Sequence, residues 1–139
     1  MNKKKREELL KEAIEARKNA YVPYSHFQVG AALLAKNGNV YLGCNIENAA
    51  FGSTMCAERT AFFKAVSEGV REFEAIAIVG GPESGALRTI CDPCGNCRQV
   101  MAEFCKGDFE IIFGSSKKDL SVYTLEQLLP LRFKLEEDK

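Results

Sequence analysis

Between residue 5 and about residue 19, the apolar positions Leu9, Leu10, Ala13, Ile14 and Ala20 recur near helical spacing, with charged residues between them. This pattern predicts an amphipathic helix, supported by Glu7 four residues before Lys11, a favourable ion-pair order along a helix. Pro23 is read as its stop, because proline restricts the residue before it and cannot continue the hydrogen-bond ladder. The period then changes. Gln28 to Ala35 and Val40 to Cys44 are β-forming runs flanking Asn37-Gly38, whose residues tolerate positive φ and predict a hairpin. Asn45 to Met55, rich in Asn, Gly, Ser and Thr, reads as a loop. It leads into a helix from Cys56 to about Glu68, closed by Gly69.

Glu74 to Val79 contains the near-continuous apolar run Ala75-Ile76-Ala77-Ile78-Val79, expected of a strand buried on both faces. Residues 80–93 carry Gly, Pro and Ser and read as a loop. A second helix is expected from about Cys94 to about Cys105, then strands at Phe109–Phe113 and Leu120–Tyr123. Thr124 and Gln127 form a capping box for a last helix through Leu125, Leu128 and Leu129, stopped by Pro130. Alternation of this kind implies an α/β sandwich with one central sheet and helices on both faces. With 139 residues, no repeat and no internal linker, the expectation is one domain over 1–139.

Charge narrows the function. Lys plus Arg and Asp plus Glu number 19 each, so no global field attracts nucleic acid or an anionic membrane. The basic Lys3 to Arg6 is followed by Glu7-Glu8-Leu9-Leu10-Lys11-Glu12, which lacks the apolar stretch of a signal peptide. No run approaches the ~20 apolar residues that cross a bilayer, and a cytoplasmic location is expected. The six cysteines then stand out. Long periodic segments do not suit a secreted disulfide scaffold, whereas Cys-x-x-Cys plus a distant third cysteine suits metal or redox chemistry. Cys44, Cys91 and Cys105 have no such spacing and read as ordinary core or loop residues.

Cys56-Ala57-Glu58 and Pro93-Cys94-Gly95-Asn96-Cys97 each open a predicted helix. A helix N-terminus carries unpaired N–H groups and the positive dipole end, which favour the thiolate form that binds metal. Two such starts can place Cys56, Cys94 and Cys97 around one Zn²⁺. Three protein ligands match a catalytic zinc site, which keeps a position for water, while a structural site takes a fourth Cys or His. His26, the only histidine, is a formal candidate, but its isolated loop position favours a solvated side chain. Glu58 is two residues past a ligand and can reach zinc-bound water without itself being a ligand. Zinc lowers that water's pKa from about 15.7 towards 7, and a neighbouring carboxylate can carry the proton to a leaving group. Alone, Glu58 would equally suit a helix N-terminus. Beside the cysteines, the proton carrier is the better reading.

Cys56-Ala57-Glu58-Arg59-Thr60-Ala61 with Pro93-Cys94-Gly95-Asn96-Cys97-Arg98-Gln99 resembles the cytidine deaminase family in its small three-cysteine form. The resemblance extends over Tyr24 to Ala32, Gly43 to Ala49 and Leu128-Leu129-Pro130. It implies a three-layer α/β/α sandwich around a mixed five-stranded sheet. It also implies hydrolytic deamination of cytidine and 2′-deoxycytidine to the uridine products and ammonia, in pyrimidine salvage. A non-ligand glutamate moving protons beside the zinc is the general pattern of zinc deaminases. By resemblance, Asn45 and Glu47 hold the ribose 3′-hydroxyl, Phe27 and Ala57 contact the nucleoside, and Phe133 stacks on the base. Arg59 donates to the cysteine ligands and offsets their charge, since three thiolates and Zn²⁺ leave one net negative charge. Family members of this length form homotetramers whose neighbours complete each active site.

Two positions depart from the family pattern. Phe51 stands where tyrosine is common, and Asp92 where serine is common, which adds a negative charge near an anionic site. Other readings remain open at this level. Blasticidin S deaminases share the zinc motifs, and Leu129-Pro130-Leu131-Arg132-Phe133 is compatible with them, while Asn45-Ile46-Glu47-Asn48 favours the ordinary nucleoside enzyme. A non-enzymatic zinc module predicts a saturated fourth ligand and tolerance of Glu58→Ala. A thiol–disulfide protein using Cys94 and Cys97 predicts no metal and a reversible disulfide.

Overall fold

In the structure, a computed structural model describing residues 1–135, helix α1 spans Lys3–Ala16. It starts earlier than the periodicity predicts because Asn2 caps it, its side-chain oxygen accepting from the Lys5 N–H at 2.8 Å. It also ends earlier, passing into a 3-10 turn over Arg17–Asn19. Pro23 is not the stop. Tyr21 has already left the helix to pair with the loop after the second strand: its N–H donates to Asn45 O at 3.0 Å, and its carbonyl accepts from the Glu47 N–H at 2.9 Å. That expectation is corrected by a tertiary contact the local sequence does not announce.

The remaining elements are β1 (Phe27–Ala35), β2 (Val40–Cys44), α2 (Ala57–Ser67), β3 (Phe73–Pro82) and α3 (Gly95–Phe104). They are followed by β4 (Glu110–Phe113), β5 (Ser121–Thr124) and the short α4 (Leu125–Leu128). The five strands form one mixed sheet in the order β2-β1-β3-β4-β5, with β3 and β4 parallel and the other pairs antiparallel. The hairpin turn places Gly38 at φ 92°, as Asn37-Gly38 predicts, and Gly69 after α2 is at φ 94°. The capping box of α4 is present in both directions between Thr124 and Gln127. β3 runs through Gly80 and Gly81 to Pro82, so the expected loop at 80–93 begins three residues late. Residues 136–139, included in the expected domain, lie outside the described residues.

Alternation along the strands divides the core in two. Ala32, Leu34, Ala75, Ala77, Val79 and Ile112 meet α1 through Leu9, Leu10 and Ala13. Ala31, Leu33, Ile76, Ile78, Ile111 and Phe113 meet α2, α3 and α4 on the other face. The sandwich therefore has three layers, as the alternation of elements implies. Burying side chains such as Leu9 and Ile76 contributes about 1.5–3 kcal/mol each.

One close approach positions the chemistry. A side chain at Gly43 would overlap the Ala57 carbonyl and the Ala61 amide, so the glycine lets the first turn of α2 rest directly on β2. Both α2 and α3 begin near the carboxyl end of β3, where α/β sheets usually carry their sites.

Candidate metal centre and its pocket

Cys56 and Cys94 are the N-caps of α2 and α3, with extended backbones at φ −74° and φ −67°, and Cys97 lies in the first turn of α3. The two helix starts bring the three sulfurs within 4.8 Å of one another, with Cys56–Cys94 at 3.9 Å and Cys94–Cys97 at 3.5 Å. Zinc–sulfur bonds of about 2.3 Å in a tetrahedron require sulfurs about 3.8 Å apart. The donor set fits one Zn²⁺ at three corners and leaves the fourth open. Among the described residues, no His, Asp or Glu joins this group. His26 is exposed and its Nδ1 is bonded to Glu83 at 2.8 Å, so it is not a fourth ligand.

The electrostatics favour thiolate. The hydrogen bond from Cys97 and the Arg59 guanidinium outweigh burial and push the Cys56 thiol down to about 5. Arg59 Nη2 donates to Cys56 Sγ at 3.4 Å. Cys97, donating to the Cys56 sulfur and buried, is held far above the ordinary thiol range. Glu58, in the first turn of α2, is 5% exposed and is the only charged residue among those described that is fully buried. Its burial, reinforced by the neighbouring Cys56 thiolate, raises its carboxyl to about 7. A divalent cation beside it would draw that value back down. Burial and the cation thus act on this carboxyl in opposite directions, and its place beside the cluster suits a general acid–base.

Over these groups lies a cavity of about 300 Å³. β1 and the end of β2 supply Phe27, Val29 and Asn45; the approach to α2 supplies Thr54, Met55, Cys56, Ala57 and Glu58. The segment before α3 supplies Arg88, Cys91, Asp92 and Cys94. Volume alone does not locate the site: a cleft of about 360 Å³ near Glu72 and Asp108 has no comparable cluster of ligating groups.

The expected site residues divide. Cys56, Cys94, Glu58, Ala57, Phe27 and Asn45 line one pocket, Cys97 completes the sulfur cluster with Cys56 and Cys94, and Arg59 bonds that cluster. Asn45 is already engaged: Oδ1 accepts from the Val29 N–H and Nδ2 donates to Phe27 O, both at 2.9 Å. Glu47 faces a neighbouring cavity of about 380 Å³, where Oε1 accepts from the Tyr24 and Ser25 N–H groups at 3.0 and 3.1 Å. Phe133 is 67% exposed and does not line the pocket; only its carbonyl is tied down, by Gln99 Nε2 at 3.0 Å. Phe51 is 87% exposed. Asp92 is paired with Arg98 at 3.4 Å, which offsets the charge it adds.

Three contributors escaped the sequence reading. Arg98 ties the segment before α3 to α4, donating to Pro93 O at 2.9 Å and Leu128 O at 2.6 Å. Its place between Cys97 and Gln99 in the motif was the available signal. Cys91, read as an ordinary cysteine, lines the pocket with its thiol raised to about 12 by burial. Arg88 also lines it, and no local pattern marked either.

The model for the cytidine and deoxycytidylate deaminase zinc-binding region matches residues 3–114. The chain is 53% identical to the cytidine deaminase of Sporosarcina psychrophila over 131 residues, covering 94% of this chain and 93% of that one. It superposes on the crystal structure of cytidine deaminase from Burkholderia pseudomallei with a TM-score of 0.80 at 46% identity, covering 91% and 97% of the two chains. The blasticidin-S deaminase of Bacillus cereus is 33% identical over 129 residues, covering 91% and 90%.

Proposed function

Because the chain belongs to the cytidine and deoxycytidylate deaminase zinc-binding family, we propose that it deaminates cytidine and 2′-deoxycytidine hydrolytically, yielding uridine and 2′-deoxyuridine with ammonia. The observation that carries this is a buried Glu58 carboxyl, raised to about 7, beside three thiols spaced for one Zn²⁺. Zinc held by Cys56, Cys94 and Cys97 supplies the Lewis acidity that makes water a nucleophile near neutral pH. Glu58 takes a proton from the water that adds at C4 and places it on the ring N3, then moves the remaining hydroxyl proton to the 4-amino group. The C4–N bond then breaks, ammonia leaves and the C4 carbonyl remains. Arg59 offsets the charge of the thiolates through its contact with Cys56.

Phe27 and Ala57 wall the nucleoside, and Asn45 and Glu47 hold its sugar. Asn45 keeps one N–H beyond its two backbone bonds, and Glu47 Oε2 remains able to accept. The exposed Phe51 and Phe133 support a homotetramer in which neighbouring copies cover these rings and bring Phe133 to a base. Light scattering should give four times the 15.4 kDa chain mass; a monomer that is fully active would overturn the shared site. The balanced charge favours a free nucleoside over a polynucleotide, and a free nucleoside substrate is what a cytoplasmic enzyme of pyrimidine salvage would take; no described helix is long and apolar enough to cross a membrane. Zinc content and the loss of cytidine absorbance, measured for wild type and Glu58→Gln, test the function. Both proteins should bind zinc and only the wild type should be active; a zinc-loaded wild type that deaminates no cytosine nucleoside sinks the proposal.

A further inference from the structure

Gly80 and Gly81 lie near the end of β3, against the 86–91 segment. A methyl group on Gly80 would overlap the Cys91 sulfur and crowd the Phe27 ring, and one on Gly81 would overlap the Ala86 carbonyl. With hydrogens there, the segment lies directly on the strand end, and the Arg88 N–H donates to Gly80 O at 2.8 Å. That seat sets the Arg88 guanidinium carbon 4.7 Å from the centre of the Phe27 ring, a cation–π stack on the pocket wall.

The nearby cations differ from Arg88 in one respect. Arg59 donates to the Cys56 sulfur, and Arg98 to Pro93 O, Leu128 O and Asp92. Among the described residues, the Arg88 side chain has neither a hydrogen-bond acceptor nor an acidic partner. A guanidinium offers five donors in a fixed fork. The groups read as holding the sugar are poor in donors: Glu47 only accepts, and Asn45 has one N–H to spare. Sugar oxygens, which carry lone pairs, are left needing a donor.

We propose that Arg88 is a substrate-binding residue of this pocket, its guanidinium steadied on Phe27 and donating to the sugar oxygens of the bound nucleoside. The inference rests on the nucleoside deaminase reading. The sugar does not change charge during the reaction, so the contact stabilises ground and transition states alike, and its loss appears in KM.

The test is steady-state kinetics of wild type, Arg88→Ala and Arg88→Lys on cytidine and 2′-deoxycytidine, with thermal melts and calorimetric binding of uridine. Arg88→Ala should raise KM for both nucleosides about tenfold, leave kcat within about twofold, and weaken uridine binding by the same factor. Its Tm should be unchanged, and Arg88→Lys, which keeps the charge but not the fork, should fall between. An unchanged KM in an active enzyme overturns the inference and leaves the deaminase reading standing. So does a kcat loss matching the KM rise, or a lowered Tm, either of which would assign Arg88 to the scaffold. A zinc-loaded wild type inactive on both nucleosides overturns the two together.

Discussion

The two faces of the sheet are both apolar, but only one carries ionisable chemistry in its interior. Under α1 the buried contacts are aliphatic: Leu9, Leu10 and Ala13 on Ala32, Leu34, Ala75, Ala77, Val79 and Ile112. On the other face, aromatic rings gather at the start of β3, with Phe62 and Phe73 edge to face at 5.0 Å and Phe104 and Phe109 beside them. The N-termini of α2 and α3 lie at the opposite end, where Glu58 and Cys97 are buried. The second face thus separates its tasks along the helix axes. Ring packing holds the far ends of the helices, and the near ends carry groups that cost stability to bury. A site of this kind needs such an anchor, because a carboxyl raised to about 7 contributes nothing favourable to folding at neutral pH.

The largest effect that can break this division is Glu58→Gln. Activity should fall by about 10²- to 10⁴-fold, the range for losing a general acid–base group. Zinc content should hold, and Tm should stay level or rise, because a neutral amide is easier to bury than a carboxylate. A Tm falling with activity would make Glu58 part of the scaffold. The opposite face should respond in reverse. Leu9→Ala, at a fully buried position, should cost about 2–5 kcal/mol in urea denaturation. Its kcat, measured where the protein remains folded, should stay within about twofold. A tenfold loss would show the two faces to be coupled.

Arg59→Gln gives a smaller effect and asks whether the site's charge is balanced locally. Removing the cation that donates to Cys56 should move the acidic limb of the pH–rate profile upward by about one unit, with zinc content and fold kept. An unchanged profile in a folded, zinc-loaded variant would sink the charge-offset account.

Legibility followed the range of the interaction. The order of elements, the Asn37-Gly38 turn and the α4 capping box were readable because each depends on neighbours within a few residues. The zinc ligands were readable because two helix starts with paired spacing leave a local mark. Contacts between distant segments left none. Tyr21 ends α1 by pairing beside Ile46, Gly43 earns its place under Ala57, and Arg88 reaches Phe27 across two glycines of β3. The proposal that Asn45 and Glu47 hold the sugar came only from resemblance, and their bonds to backbone N–H groups show that these side chains brace the loop. Phe133 stayed outside the pocket for a related reason: among the described residues nothing covers it.

The smallest predicted effect belongs to the α1 face and sharpens the contrast from its polar rim. Arg6 on α1 meets Glu110 at the start of β4 through two parallel bonds, Nε to Oε1 at 2.9 Å and Nη2 to Oε2 at 2.8 Å. The hydrogen bonds from Arg6 outweigh burial and hold the Glu110 carboxyl below its ordinary range. Both side chains remain partly exposed, at 27% and 21%, so solvent screens the pair and Arg6→Met should cost about 0.5–1 kcal/mol at pH 7. A carboxylate whose folded pKa is depressed stabilises the fold above its unfolded value and loses that contribution as the pH falls through the folded one. The gap between wild type and Arg6→Met in urea denaturation should therefore be full at pH 7 and shrink below about pH 4.5, while kcat at pH 7 stays unchanged. A gap that does not depend on pH would mean that Arg6 acts through the packing of its alkyl stem, and the rim of this face would then be as apolar in its energetics as its core.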